Sequence, residues 1–158
     1  APTKMMDRVE WMVEKATEIG CDEFSFLLCK FSERKQIRVD RVEKIVVAAT
    51  KQSRKAWKPQ VNELESFEHF ISTERKGRKF ICHCYDEVAR VDFFDEIQKA
   101  DEEENITVLV GPEGDFSIDE VRMALDAGYQ SVTLGNARLR TETAALSAVM
   151  MMQLARRL

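Results

Sequence analysis

The sequence predicts an α/β domain with a mainly parallel sheet and helices on both faces. Segments whose apolar residues recur at helical spacing alternate along the chain with short apolar runs typical of strands. That alternation favours parallel strands covered by helices. The 158 residues suffice for one domain with an ordinary core, and neither repeats nor low-complexity linkers divide them. We therefore expect residues 1–158 to fold as a single domain.

The first half of the chain predicts a helix, a strand and two further helices. Apolar residues recur at helical spacing over 5–19, and Gly20 lies where a helix commonly ends. The run "EFSFLLC" (23–29) is typical of a strand, and apolar spacing over 39–49 predicts a second amphipathic helix. A short helix is expected near 66–72.

The second half predicts strands that alternate with helices. Ser117 and Glu120 form an S-x-x-E capping box, so a helix should begin at Ile118. The predicted elements are a strand at 79–85, a helix at 91–99, a strand at 106–110, a helix at 118–127, a strand at 129–134 and a closing helix from about residue 141.

The closing helix is unusually apolar. From Ala144 to Met152 its only polar residue is Ser147, so it must be covered on nearly all sides. A deep core position or a subunit interface would each explain this pattern. We favour the interface, which predicts a homodimer.

The composition indicates a cytoplasmic protein with reduced thiols. Charged side chains interrupt the first twenty residues, so we predict no signal peptide, and the longest nearly continuous apolar run, "AALSAVMMM", is too short to cross a bilayer. Four cysteines without a secretory signal are expected to stay reduced. We expect no membrane partner.

The stretch Cys82-His83-Cys84 raises the possibility of a metal site. Strict alternation along the predicted strand would place Cys82 and Cys84 on one face and His83 on the other. A Cys-x-Cys pair also lacks the usual zinc spacing. We therefore predict a strand with buried thiols and no metal.

Basic residues are concentrated in 30–58, which holds ten Lys and Arg against three acidic residues although the whole chain carries a formal charge of −4. A basic stripe along the second helix could be no more than a solvated helix face. Trp57 lies beside it as a possible stacking surface, which favours RNA binding. The candidate RNA-binding residues are Arg34, Lys35, Lys51, Arg54, Lys55 and Lys58.

The loop in "GPEGDFSIDE" (111–120) follows a strand and precedes a helix, the position at which open α/β sheets bind ligands. It matches neither a Walker loop nor G-x-G-x-x-G. Its acidic residues would meet a bound phosphate, so a cofactor with a positive centre and no phosphate, such as S-adenosylmethionine, suits it better. A plain tight turn is the alternative.

A second loop, in "TLGNARLRTETAALSAVMMM" (133–152), carries Arg138 and Arg140 between a strand and the closing helix. Thr141 can cap that helix, and Glu142 suits the positive end of its dipole. Both residues could therefore have a purely structural role.

The two loop motifs together resemble the ribosomal RNA small-subunit methyltransferase E family. The motifs are "LVGPEGDFSIDE" (109–120) and "LGNARLRTETAA" (134–145). Looser matches lie in "DRVEWMVEKATEIG" (7–20) and "TKQSRKAWKP" (50–59). The resemblance implies a SPOUT-class domain with a C-terminal trefoil knot that uses S-adenosylmethionine to methylate N3 of a uridine in small-subunit (16S) ribosomal RNA.

The resemblance also implies roles for individual residues. Arg140 is the first candidate to stabilise charge on the reacting base, Arg138 the second, and Glu142 a possible general base. Residues expected to surround the cofactor are Leu109, Val110, Gly111, Pro112, Glu113, Gly114, Leu134, Gly135, Leu139, Thr141, Thr143 and Ala144.

The chain departs from the family pattern in three respects. Asp115 stands where the family usually has glycine, and Arg138 lies one position later than the first arginine of the family motif. Family members also carry an N-terminal RNA-binding barrel domain, so we expect this chain to be the catalytic domain alone. Two alternatives stay open: a non-catalytic RNA-binding module, and an ATP-binding domain that the acidic loop disfavours.

Overall fold

The computed structural model describes residues 1–157, and its elements alternate between helix and strand as expected. In chain order they are α1 Met6–Ile19, β1 Glu23–Leu28, α2 Val39–Gln52, β2 Gln60–Ser66, α3 Phe67–Ser72, β3 Arg78–Cys82, β4 Val91–Asp92, α4 Phe93–Ile97, β5 Ile106–Val110, α5 Ile118–Asp126, β6 Gln130–Thr133 and α6 Thr141–Arg157.

The strands form two parallel sheets rather than the single sheet that the sequence suggested. One has four strands in the order β4-β6-β3-β5, and the other pairs β1 with β2. A cavity of about 560 Å³, lined by residues of β1, β5 and α6, lies between the facing edges of the two sheets. The prediction of parallel strands is confirmed, and the prediction of one continuous sheet is wrong.

Helices cover both faces of the four-stranded sheet, as the sequence predicted. Ile81 and Leu109 point to one face, where they pack with α3 and α5. Phe80 and Val132 point to the other, where they pack with Phe93 of α4 and with α6. Neighbouring residues of β3 thus enter different cores because side chains alternate along a strand.

The two-stranded sheet has a core of its own with α1 and α2. Val13 and Val46, one from each helix, are completely buried there against Phe26 of β1. Val149 of α6 joins this cluster, so the last helix connects the core of the small sheet with that of the large one.

Strand β2 was not predicted from the sequence, because its apolar residues are three positions apart. Val61 pairs with Phe24 and Leu64 pairs with Phe26, and a register irregularity between the two pairs absorbs the extra residue. Such a bulge hides the two-residue period by which a strand is recognised.

Two other boundaries differ from prediction. The helix expected at 91–99 is a two-residue strand followed by α4, because the side chain of Asp92 accepts a hydrogen bond from the Asp95 amide and caps the helix. The strand expected at 79–85 ends at Cys82. Its alternation therefore does not extend to Cys84, which is exposed, and the prediction of a buried thiol there is wrong.

Helix α6 is covered on most of its surface by α1, α4 and β5. Met150 and Leu154 remain 43% and 41% exposed, so the coverage that the sequence demanded is incomplete within one chain. No helix within residues 1–157 has the length and hydropathy that crossing a bilayer requires.

Candidate functional site

Three parallel strands of the large sheet end side by side and start the loops of the site. Strand β3 lies between β5 and β6, and the loops that follow these strands are 83–90, 111–117 and 134–140. Strands β5 and β6 are consecutive in the chain but flank β3 on opposite sides. This is a topological switch point, where open α/β sheets commonly bind ligands.

A cavity of about 530 Å³ lies among these loops, a size suited to a small-molecule ligand. Both motif loops line it, as does Arg138. Of the residues expected to surround a cofactor, the lining includes Val110, Gly111, Pro112, Glu113, Leu134, Gly135, Leu139, Thr141 and Ala144. The structure thus brings together two segments that the sequence singled out separately.

The other predicted cofactor residues lie beside this lining. Leu109, a residue of β5, is buried in the core formed with α3 and α5. Thr143 is exposed on the first turn of α6. A Cβ on Gly114 would come within 3.1 Å of the Phe31 Cβ. Gly114 therefore lies close to the segment that follows β1.

The 111–117 loop is a tight turn closed by its own backbone. The Asp115 amide donates to the Pro112 carbonyl over 2.8 Å, and Asp115 has a φ of +69°, a conformation that Asp tolerates better than most residues. A Cβ on Gly111 would lie 3.0 Å from the Phe116 amide nitrogen. The predicted capping box of Ser117 and Glu120 is confirmed.

The start of α6 differs from the prediction. Thr141 is the first helical residue, and its hydroxyl donates to the Gly111 carbonyl over 2.9 Å. The Arg140 carbonyl accepts from the Ala144 amide, which places Arg140 rather than Thr141 in the cap position. The side chain of Thr141 connects the two motif loops instead of capping its own helix.

The two candidate arginines occupy different positions. Both are exposed, and neither has an ion-pair partner within residues 1–157. Arg138 belongs to the cavity lining, whereas Arg140 lies where the loop joins α6.

Glu142 is directed away from this cavity. It is only 7% exposed, and its carboxylate accepts a 2.6 Å hydrogen bond from the Arg8 guanidinium of α1. It lines the cavity between the two sheets instead. The ion pair fixes α6 against α1.

The third loop of the site, 83–90, was not predicted from the sequence. His83 is 4% exposed, and its Nε2 lies 2.9 Å from the Ser131 hydroxyl, while Nδ1 accepts from the Tyr85 amide. Because Nδ1 is an acceptor, the ring is neutral with its proton on Nε2. Burial lowers the pKa of His83 and raises that of the Cys82 thiol to about 12.

No group of three or more His, Cys, Asp or Glu residues in the described part of the chain could hold a metal ion. His83 is engaged by Ser131 and the Tyr85 backbone, and Cys84 is exposed.

Two of the candidate RNA-binding residues are already engaged by contacts within the fold. Arg34 donates to the carbonyls of Thr3 and Lys4, and Lys58 pairs with Glu43. In contrast, Lys35, Lys51, Arg54 and Lys55 are exposed and have no ion-pair partner within residues 1–157.

Lys55 lies beyond the end of α2 at Gln52, and Arg54 between them has a φ of +57°. The predicted helical stripe therefore ends one turn earlier than expected. Trp57 is 71% exposed beside it.

The fold and the cavity define a class of α/β domain that binds a small molecule at the ends of its parallel strands. The chain belongs to the RNA methyltransferase domain family, whose model matches residues 1–153. A relative from Rickettsia conorii, named ribosomal RNA small subunit methyltransferase E, is 25% identical over 149 residues, which are 94% of this chain and 60% of the relative.

Solved structures show the same fold. A probable rRNA-methyltransferase from Porphyromonas gingivalis is 39% identical with a TM-score of 0.89, covering 99% of this chain and 66% of the other. A ribosomal RNA small subunit methyltransferase E from Neisseria gonorrhoeae, solved with bound S-adenosyl methionine, is 27% identical with a TM-score of 0.84, covering 98% and 63%. The chain spans about 60% of the length of the curated relative from Rickettsia.

Proposed function

We propose that this domain transfers a methyl group from S-adenosylmethionine to N3 of a uridine in small-subunit (16S) ribosomal RNA, as a cytoplasmic homodimer. The observation that carries the proposal is the 530 Å³ cavity at the switch point, which both motif loops line. The family match over residues 1–153 and the relatives named as small-subunit ribosomal RNA methyltransferases support methyl transfer to ribosomal RNA.

The cavity suits the chemistry of this cofactor. Its lining residues come largely from the three loops, and they include the acidic residues Asp86, Glu113 and Asp115. Carboxylates favour a ligand with a positive centre and disfavour one with phosphates. S-adenosylmethionine supplies its methyl group from a sulfonium and has no phosphate, so it fits this donor set better than ATP does.

The arginines are proposed to act on the target base. As the bond from N3 to the methyl carbon forms and the bond from sulfur breaks, the N3 proton must leave and negative charge spreads onto the uracil oxygens. A guanidinium directed at those oxygens would stabilise this charge. Arg138 is already on the cavity lining, and Arg140 lies two residues further along the same loop.

Glu142 is less suited to remove the proton than the sequence suggested. Its carboxylate is held by Arg8 and faces the other cavity, so we propose that it anchors α6 and that solvent takes the proton. The charge-stabilising arginines and the positioning of the base then supply most of the rate.

The RNA is proposed to lie on the unpaired cations of the basic segment. Lys35, Lys51, Arg54 and Lys55 are available to phosphates, and Trp57 offers a stacking face. Arg34 and Lys58 contribute less, because each already has a partner. Phosphate contacts of this kind position the RNA but do not select its sequence.

The last helix supports two further parts of the proposal. We also propose a C-terminal trefoil knot, which would keep α6 close to the 111–117 loop, where Thr141 bonds to Gly111. A homodimer would cover the exposed Met150 and Leu154. Sedimentation of a monomer at high micromolar concentration would contradict the dimer.

Calorimetry tests the central claim, with S-adenosylmethionine and ATP titrated in parallel. Binding of S-adenosylmethionine alone is the expected result, whereas binding of ATP alone would favour a nucleotide-binding domain.

Alkylation of cysteines tests whether the cofactor occupies this cavity. Cys84 is exposed and lines the cavity, so S-adenosylmethionine should slow its modification while Cys21, outside this lining, reacts as before.

Primer extension on small-subunit ribosomal RNA tests the reaction. A methyl group on N3 blocks the pairing edge of uracil and should stop the polymerase at a single uridine. Cofactor binding without any methyl transfer would favour a non-catalytic RNA-binding module, whereas methyl transfer without such a stop would place the methyl group on an atom other than N3.

A further inference from the structure

We infer that Asp115 is a positioning residue: its carboxylate holds the 83–90 loop against the 111–117 loop and so keeps the cavity in a form that binds its ligand. The inference rests on the proposed function for the identity of that ligand. Asp115, Cys84 and Asp86 all line the cavity, so the two loops form neighbouring parts of its wall.

The two oxygens of Asp115 serve different loops. Oδ2 accepts a 3.0 Å hydrogen bond from the Cys84 amide, and Oδ1 accepts a 2.7 Å bond from the amide of Phe116. The carboxylate thus connects the end of β3 with its own loop. Hydrogen bonds to an ionised acceptor are stronger than those to a neutral one.

Tyr85 and Phe116, the residues that follow Cys84 and Asp115, form a second connection between the two loops. The Tyr85 hydroxyl donates a 2.6 Å hydrogen bond to the Phe116 carbonyl. Consecutive residues of one loop, Cys84 and Tyr85, are therefore bonded to consecutive residues of the other, Asp115 and Phe116. Two bonds in this arrangement fix both the separation and the relative orientation of the loops.

The rest of the 83–90 loop is anchored elsewhere. His83 is bonded to Ser131 of β6, and the Arg90 guanidinium donates to the His83 carbonyl over 2.7 Å. These contacts hold the beginning of the loop to β6 and to its own end. Only the bonds of Cys84 and Tyr85 connect it to the 111–117 loop among the hydrogen bonds of residues 1–157.

Positioning matters because an untethered loop must be ordered when the ligand binds. That ordering opposes binding, and a preformed cavity avoids it. The carboxylate could instead act through its charge on a cationic ligand, and the two roles predict different results. Asp115→Gly accepts the positive φ but removes both acceptors, whereas Tyr85→Phe removes one connection and leaves every carboxylate in place.

Calorimetry with S-adenosylmethionine on the wild type, Asp115→Gly, Asp115→Asn and Tyr85→Phe tests the inference. We expect about tenfold weaker binding for Asp115→Gly, the change that corresponds to losing one hydrogen bond to a charged group. Tyr85→Phe should weaken binding in the same direction. Asp115→Asn, which keeps one acceptor, should lie between the wild type and Asp115→Gly. Asp119→Asn, at an exposed acid of the same helix start, is the control and should bind normally.

Amide hydrogen exchange measured by NMR provides a readout that does not depend on the ligand. Exchange at the Cys84 amide should accelerate in Asp115→Gly, while the amides of β5 keep their protection. Weak binding by both Asp115 variants with wild-type affinity in Tyr85→Phe would overturn the positioning role in favour of charge. Unchanged Cys84 exchange in Asp115→Gly would overturn it as well. Absence of S-adenosylmethionine binding by the wild type would refute the proposed function, and the exchange data would still decide whether Asp115 holds Cys84.

Discussion

The hydroxyl of Thr141 donates a 2.9 Å hydrogen bond to the carbonyl of Gly111. The bond joins the first residue of α6 to the first residue of the loop after β5, so the two motif segments share a wall at the cavity. The hydroxyl of Thr141 therefore helps to set how closely the two loops approach each other.

Replacing Thr141 with Val should therefore weaken cofactor binding. Valine has nearly the same shape but cannot donate, which leaves the Gly111 carbonyl without this partner. We expect a loss of affinity of about tenfold by calorimetry, the equivalent of one hydrogen bond. Thr141→Ser keeps the hydroxyl and is the matched control. Loss of affinity in Thr141→Ser with normal binding by Thr141→Val would show that the methyl group, rather than the hydrogen bond, is required.

Gly111→Ala should be more harmful than Gly114→Ala. The new Cβ at position 111 would lie 3.0 Å from a backbone nitrogen, that of Phe116, in a loop closed by its own hydrogen bonds. At position 114 it would lie 3.1 Å from the Cβ of Phe31, an exposed residue of the segment after β1, so that segment rather than the closed loop would have to shift. Thermal unfolding and calorimetry on both variants test this order. A larger effect at Gly114 would mean that the Phe31 contact is the stiffer one.

The local signals in the sequence were sufficient for some elements and not for others. The S-x-x-E pair placed the start of α5 correctly because capping depends on residues three apart. Strand β2 escaped because its irregular register with β1 separates Val61 and Leu64 by three positions. That irregularity is a property of the pairing and cannot be seen in one strand alone.

Parts of the site could likewise be predicted from local sequence, whereas others depend on how distant segments meet in the fold. Both motif loops could be recognised from the sequence, and the structure shows that they line the same cavity. The 83–90 loop carries no motif, and its place in the wall depends on the strand order that puts β3 between β5 and β6. The ion-pair partner of Glu142 could not be predicted either, because Arg8 lies 134 positions away in the sequence.

Protonation of His83 should destabilise the fold. Burial lowers its pKa in the native state, while the unfolded chain should have the usual value of about 6.5. Between the two values the unfolded state binds more protons, so the free energy of unfolding falls as the pH decreases from about 6.5 through the native pKa. The stabilisation is fully present above that window.

Denaturant unfolding of the wild type and His83→Gln, from about pH 7.5 to 5, measures this effect. Carboxylates titrate alike in both proteins, so the difference between the two curves reports His83. The curves should converge as the pH falls, because only the wild type loses this stabilisation. Parallel curves would show that His83 binds protons equally well in the folded and unfolded states.

The salt dependence of RNA affinity should identify the residues that contact phosphates. Replacing Lys51, Arg54 and Lys55 together with Ala should reduce the slope of log affinity against log salt by about 0.7–0.9 for every phosphate that the variant no longer neutralises. Lys58→Ala is a useful comparison, because Glu43 already pairs with this amine, and it should change the slope less. An unchanged slope in the triple variant would return these residues to an ordinary solvated surface.

The two arginines of the second loop can be separated by single-turnover kinetics on small-subunit ribosomal RNA. If both stabilise charge on the reacting base, Arg138→Ala and Arg140→Ala should each slow methyl transfer by roughly a hundredfold or more while cofactor affinity changes little. Arg138 is on the cavity lining and Arg140 is not. Arg140 therefore has to approach the base when the RNA binds, and its substitution should leave the free cavity undisturbed.

The control for both is Arg122→Ala, at an exposed arginine of α5 outside this lining, which should keep the wild-type rate. Arg→Lys at each position then tests geometry, since lysine keeps the charge but loses the planar group that can contact an oxygen with two donors. A rate that barely changes while cofactor affinity collapses would make that arginine a clamp on the cofactor. The same result at both positions would leave the charge on the uracil ring to be stabilised by backbone amides of the three loops.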